Sequence, residues 1–174
     1  MADAIIPDFG DDDTDRKLAI ICSKGNLDMV YPGLILGNAA LGEGVETHLF
    51  FTFWGFDMII ESRMDHLQFS PAGNTAMHMP IRGRELRIPQ AMMPLPGMTG
   101  MATKMLKDQL DELDLPPVRD FLDQIVAAGG HLWGCRMSAD MNKVDMDDLY
   151  EGVEDIINAS DFIELTDGAQ LLFI

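Results

Sequence analysis

Leu18-Ala19-Ile20-Ile21-Cys22 is an uninterrupted apolar run of strand length, the pattern of a strand covered on both faces. It stops at Ser23-Lys24-Gly25-Asn26, where Ser, Gly and Asn supply turn chemistry. Asp28 is placed to cap a helix predicted over Met29–Leu41, with Pro32 tolerated in the first turn and Gly42 as its stop. Val45–Phe53 (VETHLFFTF) is the next strand-like stretch, and Trp54–Met64 is predicted as a second helix. Strand, helix, strand, helix in that order predicts a parallel sheet.

Further along, Val118, Phe121, Leu122, Ile125 and Val126 recur at helical spacing, with Gly129-Gly130 as a stop, so Val118–Ala128 reads as an amphipathic helix. His131-Leu132-Trp133-Gly134-Cys135 is the third strand. Ser138 and Asp140 open a polar helix start in a short segment reaching Tyr150, and Gly152–Ile156 reads as a fourth strand. A last helix begins at Asn158 or Ser160, and Gln170–Ile174 is the fifth strand. The expected fold class is α/β, a three-layer α/β/α sandwich around a five-stranded parallel sheet.

The 174 residues suit one compact domain, expected over 17–174. Residues 1–16 carry four acids between Asp11 and Asp15 and read as a flexible acidic tail. The stretch 65–100 breaks the rhythm, with prolines at 71, 80, 89, 94 and 96 and methionines at 77, 79, 92, 93 and 98. An insertion that long and that apolar is expected to be mobile or to be ordered by a neighbouring subunit. Thr99–Leu113 then reads as a helix ended by Pro116-Pro117.

Charge narrows the function classes. Twelve basic side chains against 29 acidic ones give −17, which argues against nucleic acid or anionic membrane as a partner, because both need clustered Lys and Arg. No apolar run reaches transmembrane length, and the first residues lack a signal-peptide pattern, so the expected location is cytoplasmic. Two cysteines, Cys22 and Cys135, are too few for a disulfide framework or a Cys-rich zinc site.

Ligands of open parallel sheets bind outside the carboxyl ends of the strands. Cys135 stands at such an end, just ahead of a helix start, where unpaired N–H groups favour a thiolate. Arg136 adds positive charge beside it, and Lys24 sits at the same sheet edge. Cys22 also ends a strand. The two sulfurs approach bonding distance if their strands are neighbours, and lie about 10 Å apart if another strand intervenes. His131, four residues before Cys135, is about 13 Å away along the strand and is no base for it. Met77-His78-Met79, Met92-Met93, Met98 and Met101 are soft donors able to hold Cu(I), although methionine more often fills gaps and interfaces.

Ser23-Lys24-Gly25-Asn26-Leu27-Asp28 with Tyr31-Pro32, Phe50-Phe51-Thr52-Phe53-Trp54-Gly55 and Cys135-Arg136-Met137-Ser138-Ala139-Asp140-Met141 resemble the larger members of the DsrE/DsrF-like family. The tail from Gly152 to Ile174 shares that likeness, which covers about 17–174. The resemblance implies a five-stranded parallel sheet, a small homo-oligomer, and a cysteine carrying sulfur as a persulfide. That role falls on Cys135; Arg136, Ser138, Lys24 and Cys22 are the supporting candidates by position, and no bound cofactor or metal is expected. It also implies rhodanese- or TusA-type sulfur carrier proteins as partners. Two alternatives stand beside it: a non-catalytic oligomeric accessory protein, and a Met/His soft-metal binding module.

Overall fold

The computed structural model describes residues 16–77, 79–81, 84–86 and 89–174. The acidic stretch ahead of Arg16, read above as a tail, lies outside them.

Five strands form one sheet: β1 (Lys17–Cys22), β2 (Glu46–Phe51), β5 (His131–Cys135), β6 (Val153–Ile157) and β7 (Gln170–Phe173), in the order β6-β5-β2-β1-β7. Every pairing among them is parallel. The expected α/β architecture is what the chain adopts. β2 is the central strand, and Thr47 to Phe51 are all buried, which is why its sequence runs apolar instead of alternating.

Helices α1 (Leu27–Gly42) and α3 (Val118–Ala127) pack on one face. α3 buries Val118, Phe121, Leu122 and Ile125, the stripe its spacing predicts. These side chains join Leu34, Leu49, Phe51 and Leu132 in the main core. On the other face lies the short helix α5 (Ala159–Leu165), whose Phe162 ring stacks on Phe50 at 4.5 Å. Ala19, Phe50, Cys135 and Phe162 form this smaller core. The two apolar layers are therefore unequal, and Cys135 belongs to the thinner one.

Two expectations need correction. Trp54–Met64 is not a helix but two 3-10 turns, Phe53–Met58 and Met64–His66, with Ile60 bridged antiparallel to Leu149 between them. Phe56, Met58, Ile59, Ile60 and Met64 are all buried, and no single helical stripe holds five such positions, so the segment wraps the sheet edge instead. Helix α4 (Arg136–Asn142) starts directly after Cys135, and Ser138 lies inside its first turn instead of opening it. Within the insertion, Met79–Ile81 (β3) and Arg84–Leu86 (β4) pair as a small antiparallel hairpin, followed by helix α2 (Met98–Glu112).

Candidate functional site

Sheet register decides where each thiol points. Cys22 aligns with Phe51, and Phe51 aligns with Gly134. Cys135 is thus one residue beyond the row of Cys22, and a one-residue offset reverses the face. Cys22 faces α1, with its sulfur 3.3 Å from where a Cβ on Gly33 would stand. Cys135 faces α5 beside Phe50 and Phe162. With β2 between them as well, the two cysteines share neither a face nor a strand boundary. Both are free thiols.

Around Cys135 three chain segments converge. β2 ends at Phe51, so Thr52 lies next to Cys135 in the row beyond the strand. Ser138, in the first turn of α4 and 1% exposed, lies 3.3 Å from the Thr52 hydroxyl, and its Oγ accepts the Phe53 N–H at 2.7 Å. That bond fixes an unusual backbone. Phe53 has φ +48°, a left-handed conformation that costs a non-glycine residue roughly 1–2 kcal/mol. The loop behind it is wedged in place. A Cβ on Gly55 would stand 2.2 Å from the Cys22 carbonyl oxygen, and one on Gly25 would stand 2.4 Å from that of Trp54, so only glycine allows these approaches.

The two thiols differ in chemistry as they do in place. Cys22 is enclosed by the main core, and burial pushes its pKa up to about 12. Cys135 lies just beneath the surface, 5% exposed. Burial raises its pKa too, but the Thr52 hydroxyl, the N–H and hydroxyl of Ser138 and the Met137 N–H outweigh that and hold it below the ordinary thiol value. The neutral side chain forms no strict capping hydrogen bond. The thiolate, a far better acceptor, is what these donors stabilise.

A strand-end cysteine with a lowered pKa, on a five-stranded parallel sheet of this order, can now be set beside known proteins. The sequence pattern of the DsrE/DsrF/DrsH-like family matches residues 14–173. The chain belongs to that family. Sulfur carrier protein DsrE2 from Allochromatium vinosum is 33% identical over 139 residues, covering 80% of this chain and 86% of the relative. The crystal structure of the ychN protein from E. coli matches with a TM-score of 0.52 at 13% identity, over 91% of this chain and 99% of that one, and so shares the fold.

Not every residue singled out in this DsrE/DsrF/DrsH-like sequence reaches the Cys135 group. Arg136 turns sideways, and its Nη2 donates to the Ile156 carbonyl at 2.5 Å, tying α4 to β6. Lys24 is exposed beyond β1, two strands from β5. Cys22 is on the opposite face. Only Ser138 among the supporting residues engages Cys135 directly. Thr52 and Phe53 were missed as site residues, although both stand in the FFTFWG stretch that carries the family likeness. Nothing in residue type or spacing marks Thr52 as a partner until the register places it beside Cys135.

The described methionines of this stretch differ in burial. Met93 is buried and Met77 packs against the main core, whereas Met92 and Met101 are exposed. His78 and the side chain of Met79 lie outside the described residues. Among the described residues, no group of three or more His, Cys, Asp and Glu side chains could hold a metal, and no helix is long and apolar enough to cross a membrane.

Proposed function

We propose that this chain is a sulfur carrier in which Cys135 alternates between thiol and persulfide and passes sulfane sulfur between protein partners. The observation that carries the reading is the set of donors aimed at Cys135, which favours a thiolate just beneath the surface. In loading, the Cys135 thiolate attacks the outer sulfur of a donor persulfide R–S–SH. The new S–S bond forms as the old one breaks, and R–S⁻ leaves with the bonding pair, so no external oxidant is needed. Unloading is the reverse exchange with an acceptor thiolate. The name of the Allochromatium relative, a sulfur carrier protein, points the same way.

Thr52 and Ser138 serve both states, because the donors that stabilise a thiolate also solvate the terminal sulfur of a persulfide anion. Rhodanese- or TusA-type carriers fit as donor and acceptor, and a cytoplasmic setting keeps the thiol reduced between turnovers. Exposed Met92 and Leu95 in the insertion and Met101 just after it favour a homo-oligomer, which sedimentation over a dilution series tests. A single species at the monomer mass throughout counts against it.

The direct test is mass spectrometry of the reduced protein after incubation with polysulfide. One added sulfur on the Cys135 peptide is expected, retained in Cys22→Ala and abolished in Cys135→Ser. Loading of Cys22 instead, or no loading at all, rejects the proposal.

A further inference from the structure

Four large apolar side chains on the two segments that flank Cys135, the end of β2 and α4, face solvent. Phe53 is 47% exposed, Trp54 60%, Met137 56% and Met141 47%. Met137 and Met141 are one turn apart on α4 and so share a face, and the Met137 N–H is one of the Cys135 donors. Phe53 is held by Ser138 in its left-handed conformation, and Trp54 follows it directly. Trp54 also walls an open groove of about 510 Å³ shared with Asn26, Asp57, Arg63 and Thr99. Aromatic residues and methionine are the types enriched at protein interfaces, and Lys, Asp and Glu are depleted at their centres.

Charge says what kind of partner this surface fits. Residues 140–167 hold ten acids (Asp140, Asp145, Asp147, Asp148, Glu151, Glu154, Asp155, Asp161, Glu164 and Asp167) and one base, Lys143, and all ten acids are exposed. This segment builds the α4, β6 and α5 flank. It adjoins the thiol directly, because Cys135 pairs with Ile157 of β6 and packs with Phe162 of α5. A second copy of this chain would bring like charge against it.

We propose that Phe53, Trp54, Met137 and Met141 form a docking surface for a basic protein whose exposed cysteine lies among apolar residues, with the acidic flank steering its approach. The inference rests on the sulfur-carrier reading and names the partner's chemistry. The apolar contacts seat the partner's loop over Cys135, and the flank raises the encounter rate at low salt.

Thiol–disulfide exchange tests it with defined probes. Native protein is converted at Cys135 to its mixed disulfide with thionitrobenzoate, and release of that chromophore is followed as an attacking thiolate displaces it. The probes are a cysteine peptide flanked by lysine and leucine, its glutamate counterpart, and free cysteine as a small neutral control. The cationic peptide is expected to react at least tenfold faster than the acidic one at low salt, with the advantage shrinking as salt rises. Trp54→Ala and Met141→Ala should cut the cationic rate severalfold while the free-cysteine rate holds, and Glu164→Gln with Asp167→Asn should weaken the salt dependence. Equal rates for the two peptides, or a peptide-to-cysteine ratio unmoved by Trp54→Ala and Met141→Ala, overturn the docking surface. Failure of Cys135 to form the mixed disulfide at all overturns the sulfur-carrier reading instead.

Discussion

The Ser138 hydroxyl oxygen accepts the Phe53 N–H at 2.7 Å while the same residue, through its hydroxyl and its N–H, lowers the pKa of Cys135. One buried side chain thus holds a strained loop and tunes the candidate nucleophile, so the two effects should be separable by mutation.

Ser138→Ala removes the acceptor and leaves the Phe53 N–H short of a partner, a loss of about 1–3 kcal/mol in unfolding free energy. It also removes one donor to the thiolate, so the Cys135 pKa rises and alkylation at pH 7 slows. Thr52→Val removes a donor to the thiolate and the 3.3 Å contact with the Ser138 hydroxyl, leaving the Phe53 bond in place. It should slow alkylation with a smaller stability cost. Urea unfolding and iodoacetamide labelling of both variants check this. Equal stability losses in the two would deny Ser138 its hold on the Phe53 loop.

In the unmodified protein, alkylation should discriminate sharply between the cysteines. Labelling of Cys135 should rise with pH through a midpoint below the ordinary thiol value, because its donors outweigh burial. Cys22, with its pKa pushed up to about 12 and its sulfur against α1, should label only after denaturation. Peptide mapping across pH 6 to 9 reads both. Native labelling of Cys22 ahead of Cys135 is the contrary result.

The inner strands were legible because parallel strands covered on both faces leave short apolar runs, and the two more exposed edge strands, β6 and β7, also fell where strands were expected. The Cys135 position was legible for the same reason: a strand end shows in sequence. Its surroundings were not. Strand order and register, which put Cys22 on the opposite face and bring Thr52 beside Cys135, are long-range properties that no local pattern encodes. Trp54–Met64 misled because it is rich in apolar residues, and only the spread of the buried ones beyond a single helical stripe marks a wrapped edge. The β3–β4 hairpin was hidden by strands of only three residues each.

Cys22 also predicts alkaline behaviour. Its folded pKa is raised above the unfolded value, so its contribution is complete below about pH 8.5 and is lost as pH climbs toward 12. Within that window stability should fall by up to about 1.4 kcal/mol per pH unit from this group. Tyr150, whose pKa is raised by burial and by its hydrogen bond to Asp123, adds a second loss beginning near pH 10. Denaturant unfolding at pH 8, 9 and 9.7 isolates the first. Cys22→Ala should flatten the slope there, and an unchanged slope would reject the assignment.

At acid pH the governing pair is His48 and Trp133. Trp133 Nε1 donates to His48 Nδ1 at 3.2 Å, which leaves the His48 proton on Nε2, donating to Glu46 at 2.9 Å. Protonating Nδ1 would set N–H against N–H. Burial is the largest cause of the lowered His48 pKa; the Glu46 hydrogen bond opposes it, and the charges of His131 and Lys17 add to it. The His131 ring is stacked 4.6 Å away and is itself paired with Glu154. Because the folded pKa is depressed, the unfolded chain takes the proton first. Stability is therefore complete above about pH 6.5 and falls as pH drops below it, by up to about 1.4 kcal/mol per unit. Glu46, also lowered, with its His48 hydrogen bond as the chief cause, acts in the same direction but only below about pH 4.5. Urea unfolding between pH 7.5 and 5 separates the two. Trp133→Phe should lower stability at pH 7.5 by about 1 kcal/mol for the lost hydrogen bond. It should also flatten the decline toward pH 5, because His48 can then accept a proton without that clash. Parallel pH profiles for wild type and Trp133→Phe would show that this hydrogen bond does not hold His48 neutral.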